Sequence, residues 1–229
     1  MNPTFVFMQI GNAPHTLKCV ESIKRTMPKA NIIQVSDQST EKIEGVDDLY
    51  QIDGNLDNLM TLRLKAFGDL GLSGPAAYID TDMIFLRQVD VELILGSADV
   101  AVCNRDFKKD SKIRTLLKLY DNSKIELEMY NNKTFGEALP YVACFTIAKN
   151  KTFWEETYNN LLDMPKVLHK WYGDQEAIKF VVDAGFFKVK KIPESVYGCL
   201  PEFENKLNVK PRILHFKGAE RKKIMNSYY

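Results

Sequence analysis

Ala76-Ala77-Tyr78-Ile79-Asp80-Thr81-Asp82-Met83-Ile84-Phe85-Leu86 is the stretch on which the reading of this chain turns. Apolar, β-favouring residues climb to Ile79, two carboxylates follow one residue apart, and the apolar character then resumes. A run of this length with Tyr, Ile and Phe predicts a buried central strand. Residues i and i+2 of an extended chain point to the same face, so Asp80 and Asp82 are set to converge where the strand ends. Two buried carboxylates are costly unless a cation compensates them, and carboxylate oxygens suit Mg²⁺ and Mn²⁺. The plainer alternative has Asp82 capping a turn and Asp80 meeting a basic side chain. The pair alone does not decide between them; the rest of the chain has to.

Outward from that stretch, strands and helices alternate. Residues 4–10 form an apolar β-type run, Asn12 is placed to cap a helix with Pro14 in its first turn, and Leu17, Val20, Ile23 and Met27 recur at helical spacing. Residues 31–35 make a second strand, so the chain opens β-α-β. No G-x-G-x-x-G follows the first strand and no Walker lysine motif is present, which argues against a dinucleotide fingerprint or a P-loop. A polar loop (37–48) and a short strand (49–52) lead to a helix predicted over 56–70, with Leu56, Leu59, Met60, Phe67 and Leu70 on one stripe. Arg63 lies on that stripe. Its stem can cover apolar surface with its head in water, or it can be a cation held at the core edge and aimed at an anionic ligand.

Beyond the central stretch, 98–103, 141–148, 187–192 and 212–216 read as strands, the last carrying His215. Between them, Ile113, Leu116, Leu117 and Tyr120 suggest one helical face, followed by a polar, Asn-rich stretch. Phe153, Trp154, Thr157, Tyr158, Leu161 and Leu162 define an amphipathic helix. Asp174 precedes a helical run over 177–182 and is well placed as its N-cap. From Lys206 onward the chain is basic. Strands alternating with helices over this length predict an α/β fold with a mainly parallel sheet.

The 229 residues suggest one domain, 1–229, with a first half ending near 103 and a second over 104–229. With 45% hydrophobic residues the chain can bury a large core, and a net charge of +1 gives no field that favours nucleic acid. Cys19, Cys103, Cys144 and Cys199 form no C-x-x-C pair, so neither a zinc knuckle nor a redox motif is suggested and the four read as buried thiols in a reducing cytoplasm. No signal-peptide pattern opens the sequence, and no apolar run is long enough to span a bilayer.

Paired aspartates at a strand end, a late histidine and a basic, Gly-containing segment after it call for one explanation. A divalent ion held by two carboxylates and an imidazole, beside lysines and arginines, suits a diphosphate. The pattern resembles the metal-dependent GT-A glycosyltransferases, in particular the family of glycogenin and the bacterial lipopolysaccharide galactosyltransferases. The resemblance implies a single-domain GT-A fold and a nucleotide base held by Gln9, Asn12 and His15 after the first strand. Arg63-Leu64 would contact the donor, and Asp80-Thr81-Asp82 would be the D-x-D. Asp174-Gln175 would lie under the donor sugar. His215-Phe216-Lys217-Gly218-Ala219-Glu220-Arg221 would match the closing H-F-x-G-x-x-K. On that basis Asp80, Asp82 and His215 are the expected ligands of Mn²⁺ or Mg²⁺, and Lys217, Gly218 and Arg221 the expected diphosphate contacts.

Two departures stand out. Val142-Ala143-Cys144 replaces the family's Asn-Ser-Gly, which leaves the donor sugar open, and Arg221 stands in place of Lys, with a different geometry toward diphosphate. Trp171 and Tyr172 can stack on a sugar or pack in the core. The expected activity is transfer from a nucleoside-diphosphate sugar, a UDP-sugar by resemblance, to a glycan, lipid-linked or protein acceptor, with retention. The competing classes are a non-catalytic nucleotide-sugar or glycan binder on the same fold and a nucleotidyltransferase.

Overall fold

A computed structural model describes residues 2–54, 56–113, 130, 132–170 and 172–228. Its frame is a seven-stranded sheet in the order β3-β2-β1-β4-β7-β6-β8, with β1 (Thr4–Met8), β2 (Asn31–Ser36), β3 (Asp48–Gln51), β4 (Ala76–Ile79), β6 (Val100–Asn104), β7 (Tyr141–Ala148) and β8 (Val189–Pro193). The pairings are parallel except where β7 runs against β4 and β6. This is the expected α/β architecture with a mainly parallel sheet. All of β7 is buried, which is why it reads as an unbroken apolar run rather than an alternating one.

Side-chain alternation along the central strands divides the core. Phe5 and Phe7 of β1 enter one layer with Cys19, Val20 and Ile23 of α1 (Pro14–Thr26). Val6 and Tyr78 enter the other with Phe67 of α2 (Leu59–Asp69) and Phe153 and Trp154, which lie on a later helix described below. Each such side chain taken fully from water contributes about 1.5–3 kcal/mol. In the second layer Trp154 sits edge-on to Tyr78, Phe67 and Phe153 at centroid distances of 4.5, 5.1 and 5.1 Å. The layer is completed by α4 (Phe135–Ala138), α5 (Thr152–Leu162) and α6 (Gly173–Asp183), while α3 (Val91–Leu95) joins the first. A last short pair of helices, α7 (Glu194–Tyr197) and α8 (Ala219–Met225), flanks the end of the chain.

Several local expectations differ from the structure. The predicted central strand stops at Ile79, and its apolar continuation is a separate strand, β5 (Met83–Phe85), which pairs antiparallel with β9 (Ile213–His215) in a two-stranded sheet of its own. The helix expected from residue 56 begins as a 3₁₀ turn, Leu56–Asn58, so Leu56 is exposed and off the buried stripe. Asn12 does not cap α1: the N-cap is Ala13, with no side-chain bond, and Pro14 opens the helix. Asp174 is not an N-cap either, because α6 starts one residue earlier, after Tyr172 in the left-handed region at φ 62°. The helical face expected from Leu116, Leu117 and Tyr120, and Trp171, lie outside the described residues; Ile113 is buried. Among the described residues no helix is long and apolar enough to cross a membrane.

Candidate active site

A cleft of about 550 Å³ opens at the C-terminal ends of β1 and β4. Ligands of open α/β sheets bind beyond the carboxyl ends of the strands. Its lining brings together Gln9, His15, Arg63, Asp80, Asp82, Asp174, Gln175, His215, Lys217 and Gly218, ten of the twelve residues singled out from sequence. Asn12 and Arg221 do not line it. Asn12 is exposed, and Arg221 is held by Glu202.

The break between β4 and β5 sets the geometry. Asp80 follows the last residue of β4 and Asp82 precedes the first residue of β5. The β5–β9 register puts Met83 opposite His215, which delivers the imidazole to the carboxylates from more than 130 residues away. His215 Nε2 lies 3.3 Å from Asp82 Oδ1 and 3.7 Å from Asp80 Oδ2. One ligand atom from each of the three falls within 4.8 Å of the others. Two carboxylates and an imidazole on one small volume fit a divalent cation such as those carboxylate-rich sites take. His215 Nδ1 is buried with no hydrogen-bond partner among the described residues.

Each carboxylate also meets a basic side chain. Arg63 reaches Asp80 Oδ1 from Nη2 at 2.8 Å and Asp174 Oδ2 from Nη1 at 3.3 Å. Arg63 is thus a mostly buried cation at the core edge, over the Phe67 ring at 5.4 Å, and its guanidinium is engaged by these two carboxylates. Lys222 Nζ lies 3.1 Å from Asp82 Oδ2. Burial works against ionisation of Asp82, but His215 and Lys222 hold its carboxyl well below the usual carboxylate range. Burial works against a charged His215 as well, and the Asp82 carboxylate raises it above the ordinary histidine range. His15, 3.5 Å from the Thr81 hydroxyl, is shifted down by its burial and by Lys222, with Asp82 pulling the other way.

The other end of the cleft belongs to α6. Asp174 and Gln175 occupy its first turn, both buried. Asp174 Oδ1 accepts from the Gln175 backbone N–H at 2.8 Å, a donor that the Tyr172 carbonyl shares at 3.1 Å. Burial raises the Asp174 carboxyl against the pull of Arg63. Gln175 is fixed by a residue that the sequence did not mark. Arg105, at the end of β6, donates from Nη2 to Gln175 Oε1 at 2.7 Å and from Nε to the Leu139 carbonyl at 2.7 Å, with the Phe135 ring beneath it. Gly173 explains how the turn packs so closely: a Cβ there would lie 2.0 Å from the Leu168 carbonyl oxygen. Between the two ends the wall is Val142, Ala143 and Cys144, without a side-chain amide.

At the remaining edge Gln9 lines the cleft, but its amide is committed to the turn. It donates to the Gly11 carbonyl at 2.8 Å and accepts from the Thr16 hydroxyl at 2.6 Å. Asp106 and Glu137 serve structure: Asp106 accepts from Ser195 N–H and Glu137 completes a capping box with Thr134. Tyr172 lines the cleft, whereas His169 bonds the Met164 carbonyl at 3.1 Å away from it.

No family model and no curated protein matches the sequence. Solved structures do match the fold. The galactosyltransferase LgtC in complex with donor and acceptor sugar analogs superposes with a TM-score of 0.55 at 13% identity, over 98% of this chain and 95% of that one. The glycosyltransferase GlyE of Streptococcus pneumoniae TIGR4 gives a TM-score of 0.61 at 14% identity, over 99% of this chain and 60% of that one. The bifunctional glycosyltransferase WbbM gives 0.53 at 14%, over 95% of this chain and 46% of that one. The fold is therefore the GT-A fold of these transferases.

Proposed function

We propose that the chain is a metal-dependent glycosyltransferase that moves a sugar, with retention, from a nucleoside-diphosphate sugar to a glycan, lipid-linked or protein acceptor. A UDP-sugar is the donor favoured by the resemblance, and residues 1–229 act as one unit. The observation that carries the reading is the convergence of Asp80, Asp82 and His215 in a cleft whose other polar residues include Lys217, Lys222, Asp174 and Gln175. A nucleoside diphosphate needs cationic groups at the diphosphate, and a departing diphosphate needs them more. GT-A structures that carry galactosyltransferase and glycosyltransferase names share this fold, which is consistent with the chemistry.

In this reading Asp80, Asp82 and His215 hold Mn²⁺ or Mg²⁺, which when bound supplies positive charge at the diphosphate oxygens. Lys217 and the Gly218 backbone, at φ 92°, border the same end and bind the diphosphate. Arg63 orients Asp80 and Asp174 together. Asp174 and Gln175 face the donor sugar across the cleft, where a buried carboxylate stabilises positive charge developing at the anomeric carbon. His15 borders the base. Four buried, free cysteines accord with a reducing, cytoplasmic setting.

A turnover assay with a panel of nucleotide sugars and Mn²⁺ tests the proposal. Release of nucleoside diphosphate from at least one donor, lost on chelation, is the expected result. Tight binding without release from any donor would leave a nucleotide-sugar binding protein instead.

A further inference from the structure

The basic segment after His215 is not used as its sequence suggests. Arg221 forms a fork with the Glu202 carboxylate and donates from Nη1 to the Lys217 carbonyl at 2.9 Å. Those bonds fix the start of α8, and the next residue turns inward. Lys222 is the side chain of this helix that lies on Asp82 Oδ2, at 3.1 Å, while the other Asp82 oxygen faces His215. Asp82 is nearly buried, and Lys222 is more than a third exposed, so the lysine can leave while the carboxylate stays.

We propose that Lys222 is an internal cation that holds Asp82 until a diphosphate draws it away, and that it thereby couples diphosphate binding to metal binding. Two positive charges on one carboxylate repel, so an ammonium on Asp82 weakens the site for a divalent ion. A diphosphate beside the ion offers the ammonium a better partner, with more negative charge and no like-charged neighbour bound to the same carboxylate. Each ligand then raises the affinity for the other, because both favour the state in which Lys222 has left Asp82. Arg221 serves this arrangement by anchoring the helix and takes no part in the exchange. The inference rests on the metal-dependent reading of the site.

The test is titration of the full chain with Mn²⁺ alone, followed by electron paramagnetic resonance, in the wild type and in Lys222→Met, Lys222→Arg and Asp82→Asn. Lys222→Met should bind Mn²⁺ about tenfold more tightly than wild type, and Lys222→Arg about as wild type does. UDP, used as the diphosphate probe, should tighten Mn²⁺ binding in wild type by a larger factor than in Lys222→Met. A Lys222→Met affinity equal to or weaker than wild type, with Mn²⁺ binding lost in Asp82→Asn, overturns this inference and leaves the metal reading standing. No Mn²⁺ binding by wild type overturns both. Should Lys222→Met fail to fold, the wild type gives the answer through amine labelling read by mass spectrometry. Lys222 should label faster in saturating Mn²⁺, which expels it from Asp82, and more slowly again once UDP takes it up, relative to the exposed Lys223 as internal standard; an unchanged ratio across the three states overturns the proposal.

Discussion

Replacing Arg63 by methionine removes a side chain that joins both ends of the cleft. Arg63 is 14% exposed and binds Asp80 and Asp174, the latter 6% exposed. Breaking a buried pair by deleting one partner costs about 3–5 kcal/mol, because the other charge stays buried. Asp80 keeps some access to water at 28% exposure, which places the expected loss near the lower figure, about 3 kcal/mol. For a chain of this size that lowers the melting temperature by about 6–12 °C. The sign of the pH dependence follows from Asp174. Burial already raises its carboxyl, and without Arg63 it rises further above its unfolded value. The folded variant then binds more protons than the unfolded chain, so its deficit relative to wild type shrinks as pH falls from 8 to 5. Adding Asp174→Asn to Arg63→Met should restore about 1 kcal/mol or more, since the stranded charge is gone. Thermal and urea denaturation of the metal-free protein, followed by circular dichroism, measures all three. A loss below about 1 kcal/mol, or strict additivity of the two substitutions, refutes the buried bridge.

Two further predictions concern groups away from the carboxylate pair. Gln175→Ala strips Arg105 of an acceptor and should cost about 1–3 kcal/mol, while Gln175→Glu offers Arg105 a carboxylate and should melt above the alanine variant; equal melting temperatures for the two would show that the Arg105 bond is not made in solution. All four cysteines are buried and free, burial pushes the Cys199 thiol up to about 12, and burial likewise raises Cys19. Ellman's reagent at pH 8 should therefore find no reactive thiol in the native protein and four after unfolding, and rapid reaction of the folded chain would contradict that packing.

What the sequence disclosed follows from short-range pattern. The apolar run into Asp80, the continuous run of β7 and the late His215 are local signals, and each occupies the kind of position expected of it. The fold class follows from the alternation of such runs. What escaped depends on tertiary placement. The residues from Ala76 to Leu86 look like one strand, yet the chain breaks at the aspartates because Met83–Phe85 finds its partner in β9 rather than in the main sheet. Arg221 and Lys222 are neighbours in a basic run, and only the phase of the helix decides which one reaches the cleft. Arg105 carries no motif; its importance comes from the end of β6 lying against Gln175, seventy residues later. Asp174 looked like a cap because helix starts are legible from sequence to within a residue or two, and here the left-handed Tyr172 moves the cap back by two.

The central claim is that Asp80, Asp82 and His215 make one metal site that serves a diphosphate. Isothermal titration of UDP into the wild type in Mn²⁺, into the wild type in EDTA, and into Asp82→Asn in Mn²⁺ tests it most directly. The account predicts binding in the first case and a loss of affinity of at least about tenfold in the other two, with Asp82→Asn still folded. The same UDP affinity in all three would contradict it.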